Sequence, residues 1–285
     1  MKYGIILLFI TFFTAATMLI INKKFKKYLD KYWVRVTAGL VFLTYIVLFR
    51  FVGNWSEIAN ITAHKMPGWW HETFHDYRSY VLSRSLFLDL CPFFTFALLL
   101  TMIFDRSKYS SFIVSPFCLF ASAIVIPFVP ATEKNFVFSL KYLLIATKEF
   151  RLYFFMHWFM FNFGCLAFVN YSLENVSYKR IFRDIQITLL VFASYIIIIS
   201  YIFNIDKNTT GLSRKDWEKG GSFYAISKGL RVPHPYQAVL FYIFSIAWIN
   251  FIPLVKYDLQ NEIIIGKFIQ KIKSKMQQWK RSLAK

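Results

Sequence analysis

The stretch that decides the fold is FRLYFFMHWFMFNFG, which runs from Phe150 to Gly164. It is an apolar, aromatic helix candidate with the ionisable side chain of His157 set well inside it. A second apolar run, SRSLFLDLCPFFTF at residues 83–96, holds Asp89 and Cys91. An ionisable group inside a membrane span is costly and usually marks a functional site. The sequence therefore predicts a membrane protein whose site involves these three side chains.

The low charge of the chain supports this prediction. Of its 285 residues, 57% are hydrophobic and only 17% are charged, whereas soluble domains average about 25% charged residues. The formal net charge is +19, but the basic residues cluster at the ends of apolar runs, where topology and anionic headgroups favour them. We therefore expect membrane lipids as partners and no nucleic acid. The three cysteines, Cys91, Cys118 and Cys165, lie in apolar runs and predict no disulfide framework.

Seven apolar runs are each long enough to cross a hydrocarbon core of about 30 Å. In chain order they are Tyr3–Ile21, Val34–Val52, Ser85–Phe104, Ser110–Val129, Phe150–Tyr171, Ile185–Phe203 and Tyr236–Val255. The predicted fold class is an all-α membrane protein, with a seven-transmembrane helix bundle over residues 1–256. Lysine and arginine concentrate after the first run, after the fifth run and in the tail, so these segments should be cytoplasmic and the N-terminus outside. A composition rich in Phe, Ile and Lys is typical of AT-rich bacterial genomes, and we expect a multi-pass protein of a bacterial plasma membrane.

The tail, residues 257–285, has the pattern of a basic amphipathic helix. Its apolar residues recur at helical spacing, at Ile265, Phe268, Ile269, Ile272, Met276, Trp279 and Leu283. Lysines and arginines fill most of the remaining positions, which suits a helix lying on the anionic inner leaflet. The alternative is a helix docked on protein, which would imply a membrane protein partner.

Cys91 and His157 are the candidate catalytic pair. With the N-terminus outside, odd-numbered spans run inward, and the two residues lie six or seven positions past the start of spans three and five. At 1.5 Å per residue both should lie about 10 Å below the outer boundary, where they can meet. A histidine base beside a thiol can generate the reactive thiolate. The alternatives are a cysteine that is only a small buried hydrophobe and a histidine that only bonds a neighbouring helix.

Further residues of span three would shape this site. Pro92 removes a helix hydrogen bond and should expose the carbonyl of Leu88. Arg84 shares a helix face with Cys91, at a spacing of seven residues, and is a candidate contact for a lipid headgroup. Asp89 lies about 200° round the helix from Cys91, at ~100° per residue, and would orient a histidine or pair with another helix.

A second motif is His71-Glu72-Thr73-Phe74-His75, a literal H-E-x-x-H. On a helix this spacing places two imidazoles one turn apart, where they can bind zinc with the glutamate as base. His64, Asp76 or His234 would supply a third ligand. The segment is a short loop outside the spans and no further ligand motif follows it, so we expect no metal and no cofactor, with zinc at His71 and His75 as the alternative.

A third motif, Gly229-Leu-Arg-Val-Pro-His-Pro-Tyr236, lies at the mouth of span seven. Proline-bracketed turns often enter helices for structural reasons alone. Arg231 and His234 would nonetheless face the outer mouth of the bundle, where they could hold a phosphate headgroup.

At three places the chain resembles the YwaF-like family of bacterial integral membrane proteins, which is related to the vertebrate transmembrane protein 164. Segments of the types L-H-L-C, F-R-F-W-x-F-F-x-x-H and G-P-x-P-W-Y are similar to Leu88-Asp-Leu-Cys91, Phe150–His157 and Leu230–Tyr236. The resemblance covers about residues 85–253 and implies a seven-helix bundle. The vertebrate relative is regarded as a cysteine-dependent phospholipid acyltransferase, which implies Cys91 as nucleophile and His157 as base. Asp89 departs from the pattern, because a histidine is usual there.

Three functional hypotheses follow from the sequence. The first is an enzyme that transfers or hydrolyses acyl groups of membrane lipids through Cys91, His157 and Asp89, with Arg84 and Arg231 on the headgroup. The second is a transporter or ligand-binding module whose polar cavity is lined by His157 and Asp89. The third is a non-catalytic membrane subunit that contacts partners through its tail and outer loops.

Overall fold

The computed structural model describes residues 2–52, 55–68, 71–132, 137–145, 152–206, 232–233 and 235–283. Within these ranges the chain forms helices and connections and no strand. Six helical stretches are long and apolar enough to cross a membrane: Tyr3–Lys24, Tyr32–Phe51, Phe74–Phe104, Tyr109–Phe128, Tyr178–Ile202 and Tyr236–Asn261. The all-α class predicted from the sequence is confirmed, with six candidate spans.

The helices are numbered in chain order. They are α1 Lys2–Lys24, α2 Lys26–Leu29, α3 Tyr32–Ile46, α4 Trp55–Thr62, α5 Phe74–Ser85, α6 Leu90–Phe104, α7 Tyr109–Val125, α8 Val129–Thr132, α9 Leu140–Leu144, α10 Tyr153–Asn170, α11 Tyr178–Ile202, α12 Tyr236–Asn261 and α13 Ile265–Leu283. A π-helical turn, Val47–Phe51, continues α3, and a 3₁₀ turn, Ile126–Phe128, continues α7.

The helix that holds His157, α10, lies at the centre of the bundle. It packs most extensively on α7 and also contacts α1 and α6. Gly164 permits the close approach to α7, since a Cβ at this position would lie 3.2 Å from the Cβ of Cys118. This helix is long enough to be a candidate span but is not among the six, because the polar side chains of His157, Asn162 and Asn170 lower its hydropathy.

Polar contacts show which connections between helices lie at the same end of the bundle. At one end, Lys108 forms an ion pair with Asp30 at 2.6 Å, and the Tyr109 hydroxyl donates to Asp184 at 2.7 Å. At the other end, His75 lies 3.1 Å from the carboxylate of Asp206. We call the first end, which also carries the connection from α12 to α13, the tail end.

The third predicted span, Ser85–Phe104, lies within the candidate span Phe74–Phe104, but this stretch is not one continuous helix. The structure ends α5 at Ser85 and begins α6 at Leu90, with Phe87 between them at a φ of 55°. Pro92 lies in the first turn of α6, where its missing N–H costs no helix hydrogen bond. It therefore does not expose a carbonyl in mid-helix, and Arg84 and Cys91 do not share one helix face.

The last helix of the bundle extends beyond the predicted start of the tail. The helix α12 continues through residues 257–261, so the predicted boundary at residue 257 falls inside it. The Asp258 carboxylate then accepts the N–H groups of Ile264 and Gly266, at 3.0 and 2.9 Å, which fixes the turn into α13. The apolar side chains of Phe268, Ile272 and Met276 on α13 are exposed.

A buried lysine holds the end of α10. Lys256 on α12 donates to the carbonyl of Phe168 and, at 2.6 Å, to the carbonyl of Tyr171. Its ammonium also lies 5.1 Å from the ring centroid of Phe112. The last carbonyls of a helix lack intrahelical partners and carry partial negative charge, so a cation there is favourable. Lys256 therefore fixes α10 to α12 at the tail end.

Candidate functional site

A cluster of ionisable side chains lies away from the tail end, where α3, α4, α5, α6 and α10 meet. We call it the Arg50 cluster, and its members are Arg50, Glu57, Tyr80, Arg84, Asp89, Cys91 and His157. These five elements end or begin near the cluster, and its side chains lie within about two turns of those ends. The cluster therefore contains Cys91, His157, Asp89 and Arg84 from the sequence-based prediction, together with residues that the prediction missed.

Arg50 is the central residue that sequence reasoning missed. It lies on the π-helical turn after α3, is 8% exposed, and interacts electrostatically with Asp89, Cys91 and His157. Single π-helical turns occur often at functional sites. The guanidinium donates to the Met156 sulfur at 3.3 Å. In the sequence, Arg50 lies inside the predicted span Val34–Val52, which could have marked it as functional. Because it is close to the end of the span, it instead resembles a basic residue at the membrane interface.

The hydrogen bonds of Arg50 use weak acceptors. Besides the thioether of Met156, the guanidinium reaches the backbone carbonyl of Arg84 at 3.4 Å. Among the described residues, no carboxylate forms an ion pair with it. A buried guanidinium has five N–H donors and is stabilised mainly by carboxylate or phosphate oxygens. Arg50 therefore retains donor capacity toward an anion.

The ring of His157 is held in one tautomer. Its Nδ1 lies 2.6 Å from the carbonyl oxygen of Tyr153. Because a carbonyl only accepts, Nδ1 carries the proton, and Nε2 presents a lone pair. The residue is 3% exposed, and Nε2 is buried without a hydrogen-bond partner among the described residues. The bundle therefore contains a buried imidazole whose Nδ1 is held by the backbone and whose Nε2 has no described hydrogen-bond partner.

Cys91 is the second residue of α6, and Asp89 is the residue at the N-cap position. The Asp89 side chain does not cap the helix, and instead accepts a hydrogen bond from Ser83 at 3.3 Å. Cys91 interacts electrostatically with both Asp89 and Arg50. Cys91 and His157 each interact electrostatically with Arg50, and the structure shows no hydrogen bond between the two, so the catalytic pair stays a prediction.

Asp89 does not orient His157 in this structure. The Nδ1 atom, which an orienting carboxylate would hold, is bonded to the Tyr153 carbonyl instead. The prediction that Asp89 orients a histidine therefore has no counterpart at His157, because the backbone of the preceding helical turn performs that role.

Arg84 has partners inside the protein. Its guanidinium donates to the Tyr80 hydroxyl at 2.9 Å and lies 3.6 Å from the Glu57 carboxylate. It also lies over the Tyr80 ring, 5.1 Å from the centroid. The predicted headgroup contact is thus part of the cluster, but its charge is engaged by Glu57, and the guanidinium of Arg50 is the better placed of the two for a ligand.

The H-E-x-x-H segment does not have the helical geometry that zinc requires. The helix α5 begins at Phe74, and Thr73 is its N-cap, accepting the N–H of Asp76 at 3.2 Å. His71 therefore precedes the helix, and its imidazole is not one turn from that of His75. In the part of the chain that the structure describes, no three His, Cys, Asp or Glu side chains form a group that could hold a metal ion.

The third motif is only partly described. Arg231 and His234, the predicted headgroup contacts at the mouth of span seven, lie outside the described residues. The described part of the motif enters α12 through Pro235, which is its N-cap residue.

Comparison with known proteins gives relatives but no activity. Residues 9–284 match the profile of DUF5378, a family of unknown function. The chain is 30% identical over 145 residues to the Uncharacterized protein MG135 of Mycoplasma genitalium, an alignment that covers 49% of each chain. It is 32% identical over 149 residues to the MG135 homolog of Mycoplasma pneumoniae, covering 49% of this chain and 48% of the relative.

The aligned part spans about half the length of these curated relatives. No solved structure matches the chain. The printed names of the two relatives assign them no reaction. The profile match, in contrast, extends over nearly the whole sequence, and the chain therefore belongs to the DUF5378 family.

Proposed function

We propose that the chain is a seven-span protein of a bacterial plasma membrane, with its N-terminus outside and its tail in the cytoplasm. The six candidate spans and the Mycoplasma relatives support this location. The seventh span is α10: its C-terminal end meets Lys256 at the tail end, and its first turn lies in the Arg50 cluster, away from the tail end. The lysine-rich connection after α1 is at the tail end too, as the positive-inside rule requires.

For the activity, we propose cysteine-dependent acyl transfer or hydrolysis on membrane lipids. The observation that carries the proposal is the Nε2 of buried His157, which has no hydrogen-bond partner among the described residues, together with a guanidinium that interacts electrostatically with both His157 and Cys91. A fixed tautomer with a basic nitrogen is what a general base needs. Catalytic hydrogen bonds are often long in unliganded structures and tighten when substrate binds. Substrate would accordingly bring the thiol of Cys91 to Nε2.

The reaction would proceed in two steps. The Nε2 atom of His157 accepts the thiol proton, and the Cys91 thiolate attacks the carbonyl carbon of a lipid ester. The C–O bond breaks, a thioester forms on Cys91, and the imidazolium returns the proton to the departing alcohol. In the second step an acceptor alcohol or water attacks the thioester, with His157 taking its proton and giving it back to the Cys91 sulfur. Arg50 would attract the negative charge that develops during each attack.

Thiol alkylation by a lipid-like electrophile tests this proposal. Purified protein would be treated with N-dodecyl iodoacetamide, and the alkylation rates of Cys91, Cys118 and Cys165 measured by peptide mass spectrometry. We expect Cys91 to react at least about tenfold faster than Cys165, since a general base contributes about 10²–10⁴. His157→Gln, which keeps the size of the side chain but lacks a base, should abolish the difference.

The matched control is His71→Gln, because His71 lies on an exposed segment before α5. It should leave the alkylation rate of Cys91 unchanged. Equal rates at Cys91 and Cys165 in the wild type, or no effect of His157→Gln in a protein that still elutes as a folded species, would refute the activated thiol.

A second candidate function is a ligand-binding or transport module that uses the same cluster without covalent chemistry. One observation favours it, namely that no hydrogen bond joins Cys91 to His157. Under this alternative Cys91→Ser keeps full function, whereas a nucleophile cannot be replaced by serine without a large loss of rate.

We also propose that α13 lies on the anionic inner leaflet. Its exposed apolar side chains and its exposed Lys267, Lys271 and Lys275 fit an interfacial helix with a basic polar face. A membrane protein partner on the apolar face is the alternative.

A further inference from the structure

We propose that Arg50 is an anion-binding residue and that the group it binds is the phosphate of a glycerophospholipid. This inference deepens the proposed function by naming its substrate class, and it rests on that function only for the chemistry after binding. The binding itself does not need the thiol of Cys91. Neither the sequence motifs nor the family resemblance pointed to Arg50.

The first argument is the incomplete set of partners around a buried charge. An uncompensated buried ion is costly, and the cost falls when oxygen acceptors surround it. Arg50 is 8% exposed, and among the described residues its hydrogen bonds reach only a thioether and, at 3.4 Å, a backbone carbonyl. Asp89 attracts the guanidinium but forms no ion pair with it. The carboxylate of Glu57 is taken by Arg84, and that of Asp89 accepts from Ser83. A ligand oxyanion would supply the acceptors that the described protein groups do not.

The second argument is the end of α6. The first turn of this helix has two N–H groups that no side chain caps, those of Leu90 and Cys91, although Asp89 is at the N-cap position. Uncapped amides and the helix dipole together form an anion-binding surface. Arg50 interacts electrostatically with Asp89 and Cys91 of this same turn. The guanidinium is therefore within electrostatic range of this helix N-terminus and also of His157, whose buried Nε2 has no hydrogen-bond partner among the described residues.

The third argument is an apolar surface next to the charge. Phe51 follows Arg50 directly, and its ring lies 5.2 Å from that of Phe87, which in turn lies 4.3 Å from Phe96. These three rings are half-buried and come from the segments that carry Arg50, Asp89 and Cys91. They provide apolar contact for an acyl chain beside a phosphate site.

The chemistry of a glycerophospholipid connects these features. Its phosphate is separated from its ester carbonyls by only a few bonds, so a phosphate on Arg50 would leave an ester near Cys91. A phosphodiester carries one negative charge, which suits the buried guanidinium of Arg50, since no described carboxylate forms an ion pair with it. Free phosphate has the same oxyanion chemistry but lacks the acyl chain, and the experiment must separate the two sources.

The test is a binding titration of the full chain in dodecyl maltoside, followed by isothermal calorimetry. The probes are dihexanoyl phosphatidylglycerol, dihexanoylglycerol and inorganic phosphate. We expect the phosphatidylglycerol to bind at least about tenfold more tightly than dihexanoylglycerol, because hydrogen bonds to a charged group are the strong ones. Tighter binding of the lipid than of inorganic phosphate identifies a lipid headgroup, whereas the reverse order would overturn the glycerophospholipid and leave a free anion.

Substitution then locates the site. Arg50→Gln should weaken the binding of the phosphatidylglycerol about tenfold to a hundredfold, and should not affect dihexanoylglycerol. Arg35→Gln is the matched control, since Arg35 lies on the same helix but donates to the carbonyl of Asp105 at 3.0 Å. Unchanged affinity in a folded Arg50→Gln protein would overturn the proposal. So would equal binding of the two lipids by the wild type, which requires no variant to fold.

Cys91→Ser separates this inference from the proposed function. It should bind the phosphatidylglycerol like the wild type, because the sulfur is not part of the anion site. If the wild type alkylates Cys91 no faster than Cys165 but binds the lipid in a way that depends on Arg50, the acyl chemistry is refuted and the anion site stands. If Cys91 is alkylated faster than Cys165 but Arg50→Gln leaves the lipid affinity unchanged, the anion site is refuted and the acyl chemistry stands.

Discussion

Replacing Lys256 with methionine tests whether a single ammonium fixes the central helix to its neighbour. The substitution keeps an apolar stem of similar length and removes the hydrogen bonds to the carbonyls of Phe168 and Tyr171. Each bond to a charged group is worth about 1.5–3 kcal/mol, and the desolvation of a buried ammonium offsets part of the sum. We therefore expect a net loss of about 2–4 kcal/mol, within the range seen when a buried network is broken.

The assay is thermal unfolding of the detergent-solubilised protein. For a chain of this size a loss of about 1 kcal/mol lowers the Tm by roughly 2–4 °C, so Lys256→Met should lower it by about 5–15 °C. The matched control is Lys271→Met on the exposed face of α13, which removes the same charge and should cost less than about 0.5 kcal/mol. Equal Tm values for the two variants would show that the end of α10 is held by packing alone.

Three further predictions concern the tail end. Gly266→Ala should increase trypsin cleavage in α13, because its Cβ would lie 2.8 Å from a backbone oxygen of α12; Gly68→Ala, with open space around it, should not. Burial raises the pKa of the Asp105 carboxyl, but hydrogen bonds from a serine side chain and from backbone N–H groups outweigh it and hold this pKa below its usual value. The resulting stability is present above about pH 4, the unfolded pKa of Asp, and is lost as the pH falls through the lower folded pKa. Asp105→Asn should therefore be less stable than the wild type at pH 7 by thermal unfolding and should lose less on acidification; identical pH profiles would contradict this. Finally, trypsin should cleave the tail more slowly in nanodiscs that contain phosphatidylglycerol than in nanodiscs of phosphatidylcholine alone. A variant in which glutamine replaces the exposed Lys267, Lys271 and Lys275 should be cleaved equally fast in both. An arginine engineered into the tail of both proteins provides the trypsin site at which the rates are compared.

The apolar spans were predictable from the sequence because hydrophobic length is a local property. Six of the seven predicted runs overlap a helix of sufficient length and hydropathy. The run around His157 forms α10 but starts at Tyr153 and is not among the six, because its polar residues serve the interior of the bundle and lower its hydropathy. The helix in the tail was predictable from its amphipathic spacing in the same way, but the residue at which it begins was not.

The break between α5 and α6 could not be read from hydropathy, since leucine and phenylalanine continue through it. Pro92 and Asp89 were the local signals, and they mark a helix start rather than a distortion within a helix. Arg50 and Lys256 were missed for a different reason. Their roles depend on contacts with residues far away in the chain, Met156 and Phe168 among them. A single sequence contains no such information.

The late start of α6 has a consequence for how the chain enters the membrane during synthesis. With 15 residues at 1.5 Å each, α6 is about 22 Å long, which is short of a hydrocarbon core of about 30 Å. Alone, α6 is a weak insertion signal for the translocon, since the candidate span Phe74–Phe104 reaches its length only with the residues of α5 and of the break. The turn at residues 105–108 joins it to α7, which together with its 3₁₀ extension forms a candidate span of 20 residues. We therefore expect the two helices to partition into the bilayer as one hairpin. In that case α6 enters the bilayer only after α7 has emerged from the ribosome.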